Sequence, residues 1–533
     1  MNPVATDYLL PPEQDMDSIA AAIRAAFRCE QEPPASSERR FFDSFEWSLY
    51  QAGAALEEVS AAGRRELVWE DLADSGAVLA RQSISTEPGL VAELPLGPVR
   101  ERLAPVLGVR RLLALLTLTS TSRTLRVLNA DDKTVVRIVL EQARIVDDGP
   151  GHDRLLPARL RLVGVRGYQE EHAEVSAELR ALLPLAPAHA PLLLEGLAAI
   201  GRRPGGYSSK LDYRLDPGER AEAATRTILL GLLDTIEANV DGTRRNLDPE
   251  FLHDLRVATR RTRSALGQIK GVLPAAIVAD FKARFAWLQQ VTGPVRDLDV
   301  YLLDFPTLKA DLPAALREDL EPLKDWLAGH YDAAQRALAD ALAGESFARL
   351  LREWRAFLEA PSRPGADRAA KQATAPIKRV ADKRIRRMHR RVLDEGRAIT
   401  DASPSEELHE LRKSCKKLRY LMEFFQSLYP AADIKELIKQ MKLLLDNLGG
   451  FQDLAVQAAH LRETAAMMQA AGAAPLGTLL AMGALIGHML EQQQRARREF
   501  ARIFADFDSD ANAALFAQLF TPPSALADAE VSA

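Results

Sequence analysis

The block Leu252-His253-Asp254-Leu255-Arg256 recurs as Leu408-His409-Glu410-Leu411-Arg412, 156 residues further on. The same offset relates Arg260 to Lys416, Arg261 to Lys417 and Arg263 to Arg419, and past a turn it relates Gly293 to Gly449, Asp297 to Asp453, Leu298 to Leu454 and Val300 to Val456. A register kept over this length means that one supersecondary unit is used twice. Both copies lie between Gly218 and about Phe520, where apolar residues recur three and four apart and Pro and Gly divide the segments, the pattern of successive amphipathic helices. The register also runs backwards, pairing the segment near Glu219 to Asn239 with that near Ala375 to Glu395, although Asp248-Pro249 and Ser403-Pro404 are one residue out of step. The pattern predicts two equivalent helical bundles.

On a helix each residue advances about 100°, so His253, Arg256, Arg260 and Arg263 fall within an arc of roughly 80°. Leu252, Leu255, Thr259, Thr262 and Leu266 take the adjoining arc and form a core-facing edge. The second copy sets His409, Arg412, Lys416 and Arg419 beside Leu408, Leu411, Cys415, Leu418 and Met422. Four like charges at this spacing cost a helix some tenths of a kcal/mol per pair, so a compensating anion is expected. Arg offers a planar fork of donors to an oxyanion, Lys a point charge and His a pH-dependent donor. A third stripe, Arg379, Lys383, Arg386 and Arg390, lies on the preceding helix of the second copy and is expected to line the same groove. Asp297, Asp299 and Asp453 are expected to pair with the arginines as supporting carboxylates. A single basic stripe is more often a solvated face; duplication in register is what argues for a site. The histidines are poor metal ligands, with no second His at i+4 and no Cys in ligand spacing, and no metal or cofactor is expected.

The first half reads differently. From about Arg39 to Glu178, FFDSFEWSLY, GAVLARQSIS, RTLRVLN, KTVVRIVLEQARIV and ARLRLVGVRGY are alternating or β-branched runs broken by Gly, Asp-Asp and Asp-Gly turns, which predicts an antiparallel α+β or β-barrel domain. We place it at 1–200, a linker at 201–216, the helical domain at 217–520 with its copies at about 217–345 and 370–505, and a disordered tail at 521–533. The two cysteines, Cys29 and Cys415, have no ligand or disulfide framework around them and are expected to be buried thiols. The first thirty residues carry no signal-peptide pattern, and the longest apolar run, Leu112 to Leu118, is far short of the ~20 residues that span a bilayer. A cytoplasmic protein without membrane contact is expected. The net charge of −5 gives a polyanion no long-range attraction, so local charge has to supply it.

LHDLRVATRRTRSAL and LHELRKSCKKLRYLMEFF, each followed by a Gly-x-x-Arg/Gln-Asp-Leu segment, resemble the two signature blocks of the CHAD family, the conserved histidine α-helical domain, over about residues 215 to 520. That resemblance implies two four-helix bundles related by a pseudo-twofold axis, a basic central groove, and binding of inorganic polyphosphate by His253, Arg256, Arg260, Arg263, His409, Arg412, Lys416 and Arg419. The first half resembles the CYTH or triphosphate-tunnel family through Arg40-Phe41-Phe42-Asp43-Ser44, Trp47-Ser48-Leu49-Tyr50-Gln51-Ala52-Gly53, Arg126-Val127-Leu128 and Lys133-Thr134-Val135-Val136-Arg137. Active members of that family open with a Glu-x-Glu-x-Lys strand that holds a metal for phosphoryl chemistry. Here the early segment is Ala5-Thr6-Asp7-Tyr8-Leu9-Leu10-Pro11-Pro12, and Arg65-Glu66-Leu67-Val68-Trp69-Glu70 stands where a basic strand would run. The expectation is a degenerate tunnel that has lost its chemistry, with residual anion binding through Arg126, Lys133 or Arg137.

The leading reading is a non-enzymatic polyphosphate-binding protein, with granules of the polymer as a further destination. Its rival is a metal-dependent triphosphatase or cyclase-like enzyme with a polyphosphate-sensing helical half. Nucleic acid is disfavoured as a partner because the basic segments have few interleaved aromatics and no recognition-helix, RRM or OB pattern. Oligomeric state, protein partners and chain-length preference are not legible.

Overall fold

The computed structural model describes residues 5–11, 15–73, 77–146, 154–188, 190–360 and 370–521, in two compact units, Met1–Ser208 and Ser209–Ala533. Residues 522–533 of the expected tail lie outside the described residues.

In the first unit the described elements run β1 (Ala5–Leu9), α1 (Met16–Ala26), β2 (Cys29–Gln31), β3 (Ala35–Asp43), α2 (Ser48–Gln51), β4 (Ala54–Ala61), β5 (Arg64–Asp71), β6 (Ala77–Ser83), α3 (Pro98–Leu107), β7 (Leu113–Leu128), β8 (Thr134–Ile145), β9 (Arg154–Leu155), β10 (Arg159–Gly164), α4 (Gln169–Leu182), β11 (Ala186–Pro187) and α5 (Leu192–Ala199). The strands form one sheet in the order β11-β1-β10-β8-β7-β3-β4-β5-β6, with β2 added to β7 and β9 to β8. Every pairing is antiparallel. Register shifts at Phe41/Phe42, Trp69/Glu70 and Val127/Leu128 bend the strands, as bulges do, and the sheet curls as a half-barrel. One face buries Leu125, Ile138, Leu140, Leu160 and Leu162 under Ile19 and Ile23 of α1 and Val175 and Leu179 of α4. On the opposite face Leu116, Leu118 and Ile145 pack against Leu192, Leu193 and Leu197 of α5.

The antiparallel sheet is the one expected, with three differences in detail. It begins at Ala5 and not near Arg39; the five-residue strand has only one charged side chain, Asp7, and its period-2 signal is correspondingly weak. FFDSFEWSLY is not one strand: β3 stops at Asp43, whose buried carboxylate accepts from the N–H groups of Ser44, Leu49 and Tyr50 and so starts α2. Cys415 is buried as expected but Cys29, on the short strand β2, is half-exposed; neither is in a disulfide.

The second unit contains α6 (Ala221–Arg244), α7 (Pro249–Gln268), α8 (Ala275–Val291), α9 (Gly293–Ala310), α10 (Glu321–Ala343), α11 (Glu345–Glu359), α12 (Ile377–Arg397), α13 (Ser405–Phe425), α14 (Ala431–Ala470), α15 (Leu476–Phe507) and α16 (Asp510–Phe520). The starts of α7 and α13 are 156 residues apart, as are those of α8 and α14, so the prolines that are out of step in sequence do not disturb the helix register. Pro249 sits inside its helix, where the missing N–H costs nothing, and Pro404 sits just before the equivalent one. The long α14 corresponds to α8 and α9 together. In the first copy the rod is interrupted at Thr292, because Pro294 at the head of α9 has no N–H to carry the ladder across.

Equivalent residues meet each other. Arg220 and Pro376, 156 apart, form an antiparallel bridge, in which Ala221 N–H donates to Ala375 O (2.8 Å) and Ile377 N–H to Glu219 O (2.9 Å). Tyr301 Oη donates to the carbonyl of its own equivalent, Gln457, at 3.2 Å. Self-pairing of this kind is the mark of a two-fold axis, here internal to one chain. Among the described residues no helix is long and apolar enough to cross a membrane.

α7 is seated by Phe251, buried against Gly242 of α6, where a Cβ would stand 2.2 Å from the ring. An alanine at Gly242 gains at most about 1 kcal/mol of helix propensity but overpacks the ring at a cost of about 1–3 kcal/mol. We therefore expect Gly242→Ala to lose on the order of 1–2 kcal/mol in urea denaturation, and an unchanged or raised midpoint would show that the ring is not wedged.

Candidate functional site

Asp248 caps α7 by accepting from Glu250 N–H (2.9 Å). Leu252, Leu255, Ala258, Ala265 and Leu266 then bury one edge of the helix. Thr259 and Thr262 lie on that edge too and satisfy themselves by donating to the carbonyls of Leu255 (2.8 Å) and Ala258 (3.0 Å). In α13, Leu408, Leu411, Cys415, Leu418 and Met422 do the same. With these edges fixed in the core, the two basic stripes are turned toward each other across the axis.

Between them lies a cleft of about 630 Å³. α7 supplies His253, Arg256 and Arg260; α13 supplies Arg412 and Lys416. The floor comes from α9 and α14, with Val300 and Val456 as an equivalent pair. The two copies thus line one cavity. Arg256 Nη1 donates to Gln289 O (3.0 Å) and Thr292 Oγ1 (2.8 Å), whereas Arg412 Nη2 donates to both oxygens of Asp453 (2.9 and 3.1 Å). Equivalent guanidiniums are thus held by different partners, each lying over the equivalent glycine, Gly293 or Gly449. Burial lowers the pKa of Arg256, and Asp297 acts against that; burial likewise raises Asp297. His253 is pushed below its ordinary value by burial and by Arg296 and Arg260, with Glu250 and Asp254 opposing. It therefore offers a hydrogen bond at neutral pH and not a charge. Lys416 falls to about 8, first through burial and then through Arg412 and Arg260, a cost of crowding like charges.

Not every expected residue is in the cleft lining. Arg263, His409 and Arg419 are absent from it; Arg419 pairs instead with Glu423 (3.4 Å), and among the described residues the buried His409 Nδ1 has no hydrogen-bond partner. Arg379, Lys383, Arg386 and Arg390 do not line the groove: they stand exposed on the outer side of α12, because the helix buries Ile377, Val380, Ala381, Ile385 and Val392 and the stripe falls opposite. Among the described residues Asp299 makes no ion pair with an arginine of the stripes. It accepts from Tyr331 Oη (2.9 Å), and burial brings its carboxyl up to about 6. Sequence reasoning passed over Arg296, Tyr301, Asp304, Gln457 and His460 in the lining. A signal existed, since the 156 offset pairs Tyr301 with Gln457 and Asp304 with His460, but those pairs differ in residue type and a search for identity misses them. Among the described residues no group of three or more His, Cys, Asp and Glu could hold a metal.

On the sheet, one face gathers charge around a cavity of only about 30 Å³ lined by Asp7, Arg39, Glu70, Glu141, Arg159 and Arg161. Arg39 bonds Glu57 (2.8 Å) and Glu141 (2.7 Å), Arg161 bonds Asp7 (2.9 Å), and Arg159 meets Glu195 (2.7 Å). Glu70 is driven up to about 7 by burial, with Glu57 adding to it. Of the other anion candidates, Arg126 pairs with Glu30, Lys133 lies exposed 3.8 Å from Asp131, and Arg137 is exposed on β8.

The family model of the CHAD domain matches residues 227–462. The chain carries a CHAD domain. Among solved structures it is similar to the CHAD domain of the plant Ricinus communis, at 25% identity over 56% of this chain and 95% of that one with a TM-score of 0.47. It is similar also to PptA from Streptomyces chartreusis, at 16% identity over 54% and 99% with a TM-score of 0.41. A Hippeastrum protein described as an adenylyl cyclase with a dominant triphosphatase activity matches at 12% identity over 39% and 100%, with a TM-score of 0.28. No curated protein matches the chain.

Glu70 yields a test. Its folded pKa, about 7, lies above the ordinary 4.5, so the folded state binds the extra proton. The stability it lends is complete below about 4.5 and lost as pH rises through about 7. Glu70→Gln should flatten that part of the pH–stability curve and raise the sheet unit's denaturation midpoint at pH 8. An unaltered curve would mean that Glu70 is ionised throughout.

Proposed function

We propose that this protein binds inorganic polyphosphate in the cleft shared by the two copies of its CHAD domain, with no chemical turnover. The observation that carries this reading is the single cavity into which both duplicated stripes send cations, Arg256 and Arg260 from one copy and Arg412 and Lys416 from the other, with His253 beside them as a hydrogen-bonding group. A linear polymer of phosphates satisfies such a lining: the guanidiniums give directed donors, the valines of the floor ask for nothing, and engagement of one wall presents tethered ligand to the other. Asp297 and Asp453 support the arginines electrostatically and by hydrogen bond. The family resemblance supports the same ligand. Arg263, His409 and Arg419, which lie outside the cleft lining, do not meet the polymer there. Granule targeting follows only where the polymer itself is condensed.

Titration calorimetry with length-defined polyphosphate tests this. Binding should weaken steeply with salt, by the counterion-release logic of polyanions, and affinity per chain should climb with length until both walls are spanned. Arg256→Glu with Arg412→Glu should cost at least about 3 kcal/mol, two charge-assisted contacts at 1.5–3 kcal/mol each, with helix content preserved. A polyanion favours protonated Lys416, so affinity should be highest below about pH 8 and fall as pH rises through that value. Salt-independent binding, or two independent equal sites, would overturn the shared-cleft reading.

The enzymatic rival rests on the sheet unit. On its charged face Asp7, Glu57, Glu141 and Glu195 are engaged by Arg161, Arg39 and Arg159 around a space too small for a triphosphate, which supports a unit without phosphoryl chemistry. Purified protein with Mg²⁺ or Mn²⁺ should release no phosphate from triphosphate or ATP above background; turnover abolished by Glu57→Gln or Glu141→Gln would reverse that assignment.

A further inference from the structure

The stripe on α12 is cationic where the fold does not ask for cations. Counting back 156 residues from Arg379, Lys383, Arg386 and Arg390 gives Ala223, Thr227, Leu230 and Asp234 on α6. The same face of the same helix in the first copy therefore carries no positive charge, and its one ionised group, Asp234, is taken by Arg355 (2.6 Å). The duplicated architecture stands with either composition, so the four cations of the second copy are not there for packing.

They are also uncompensated. All four are exposed, and among the described residues none has an ion pair, while their neighbours do: Lys378 with Asp382 (2.6 Å), Arg391 with Glu395 (2.6 Å), and Arg397 with Asp508 (2.7 Å). Arg387, exposed on the flank, adds a fifth charge; Asp394, exposed toward the C-terminal end, is the acidic group beside the stripe. The row runs straight for about 16 Å at 1.5 Å per residue. It offers only charge. The one aromatic ring on the helix, His389, is stacked on Phe516 at 3.7 Å and is unavailable to a base, and Met388 packs on the core. Base stacking and bilayer insertion both need exposed rings or apolar side chains, and this face has neither. A bare phosphate polymer is the partner it fits.

We infer that the outer face of α12 is a second polyphosphate-docking surface, outside the cleft, so that one molecule holds two polymer segments at once and can bridge chains. This rests on the cleft being the first polyphosphate site. The test uses the full chain, a short polyphosphate titrated calorimetrically, and a long one followed by light scattering. The wild type should show two binding events, the weaker being the more salt-sensitive, and should raise scattering with long chains. K383E/R386E/R390E should lose the weaker event and the scattering while keeping the cleft event; R256E/R412E should keep the weaker event alone. Should the glutamates unsettle the helix, K383Q/R386Q/R390Q gives the same reading, since circular dichroism reports the fold directly. If the α12 variants keep both events and full scattering, the bridging surface is refuted while the cleft stands. If only the cleft variant is silent, the cleft reading is the one that fails. Displacement of the weaker event by duplex or single-stranded DNA at lower phosphate concentration than polyphosphate would assign the face to nucleic acid and overturn the inference.

Discussion

Cations that repel one another are pressed together where α7 and α13 face across the axis, and the geometry of the helical unit is what holds them there. The repulsion is felt in Lys416, whose ammonium is pulled down to about 8 by burial and by Arg412 and Arg260. Against it stand the buried edges of the two helices, Leu252, Leu255 and Leu266 on one and Leu408, Leu411 and Leu418 on the other. Each such side chain contributes about 1.5–3 kcal/mol of burial, whereas crowding costs about 1.36 kcal/mol per pKa unit. The core therefore wins, and the site is preorganised before any ligand arrives. A neutralising polymer would recover part of that cost as binding energy.

The helical half was legible because duplication doubles every signal. Leu-His-x-Leu-Arg at two places fixed both the helices and their register, and the amphipathic arc separated the stripe of Arg256 and Arg412, which line the cleft, from Leu255 and Leu411, which face the core. What stayed illegible was anything that broke the symmetry. Tyr301 and Gln457 meet on the axis yet share no chemistry, and Asp304 and His460 occupy equivalent places in one cavity with opposite tendencies. The α12 stripe was read as part of the groove because helical periodicity tells which residues share a face but not what that face looks upon. Packing decides that, through Ile377, Val380 and Ile385.

In the sheet half, alternation found β8 and the end of β7 from Arg123 onward, but not the first part of β7, nor β1, β2 or β11, which are short and carry little signal. The turn after Asp43 was hidden for another reason: its three backbone acceptances stop a strand whose following residues, Phe45 and Trp47, still look like strand formers. The charged face is an instance of polar residues satisfied by one another. Arg39 reaches both Glu57 and Glu141, and carboxylates taken up by neighbouring guanidiniums leave fewer acceptors for an outside ion.

The interruption at Thr292 gives the cleft unequal jaws. On one side α14 is an unbroken rod of 40 residues, about 60 Å long, that passes from the core around Leu437 and Leu444 into the core around Leu461 and Met468. On the other, α8 and α9 meet at a joint where Pro294 leaves the ladder a rung short. The hydroxyl of Thr292, which donates to Leu288 O (2.8 Å) and receives Arg256 (2.8 Å), is the pin of that joint. A rod resists bending through its ladder, and proline is where helices yield. Were a bound polymer to load the cleft, the joint at Thr292 would yield before the unbroken α14, and the side that gave would be the one bonded directly to Arg256.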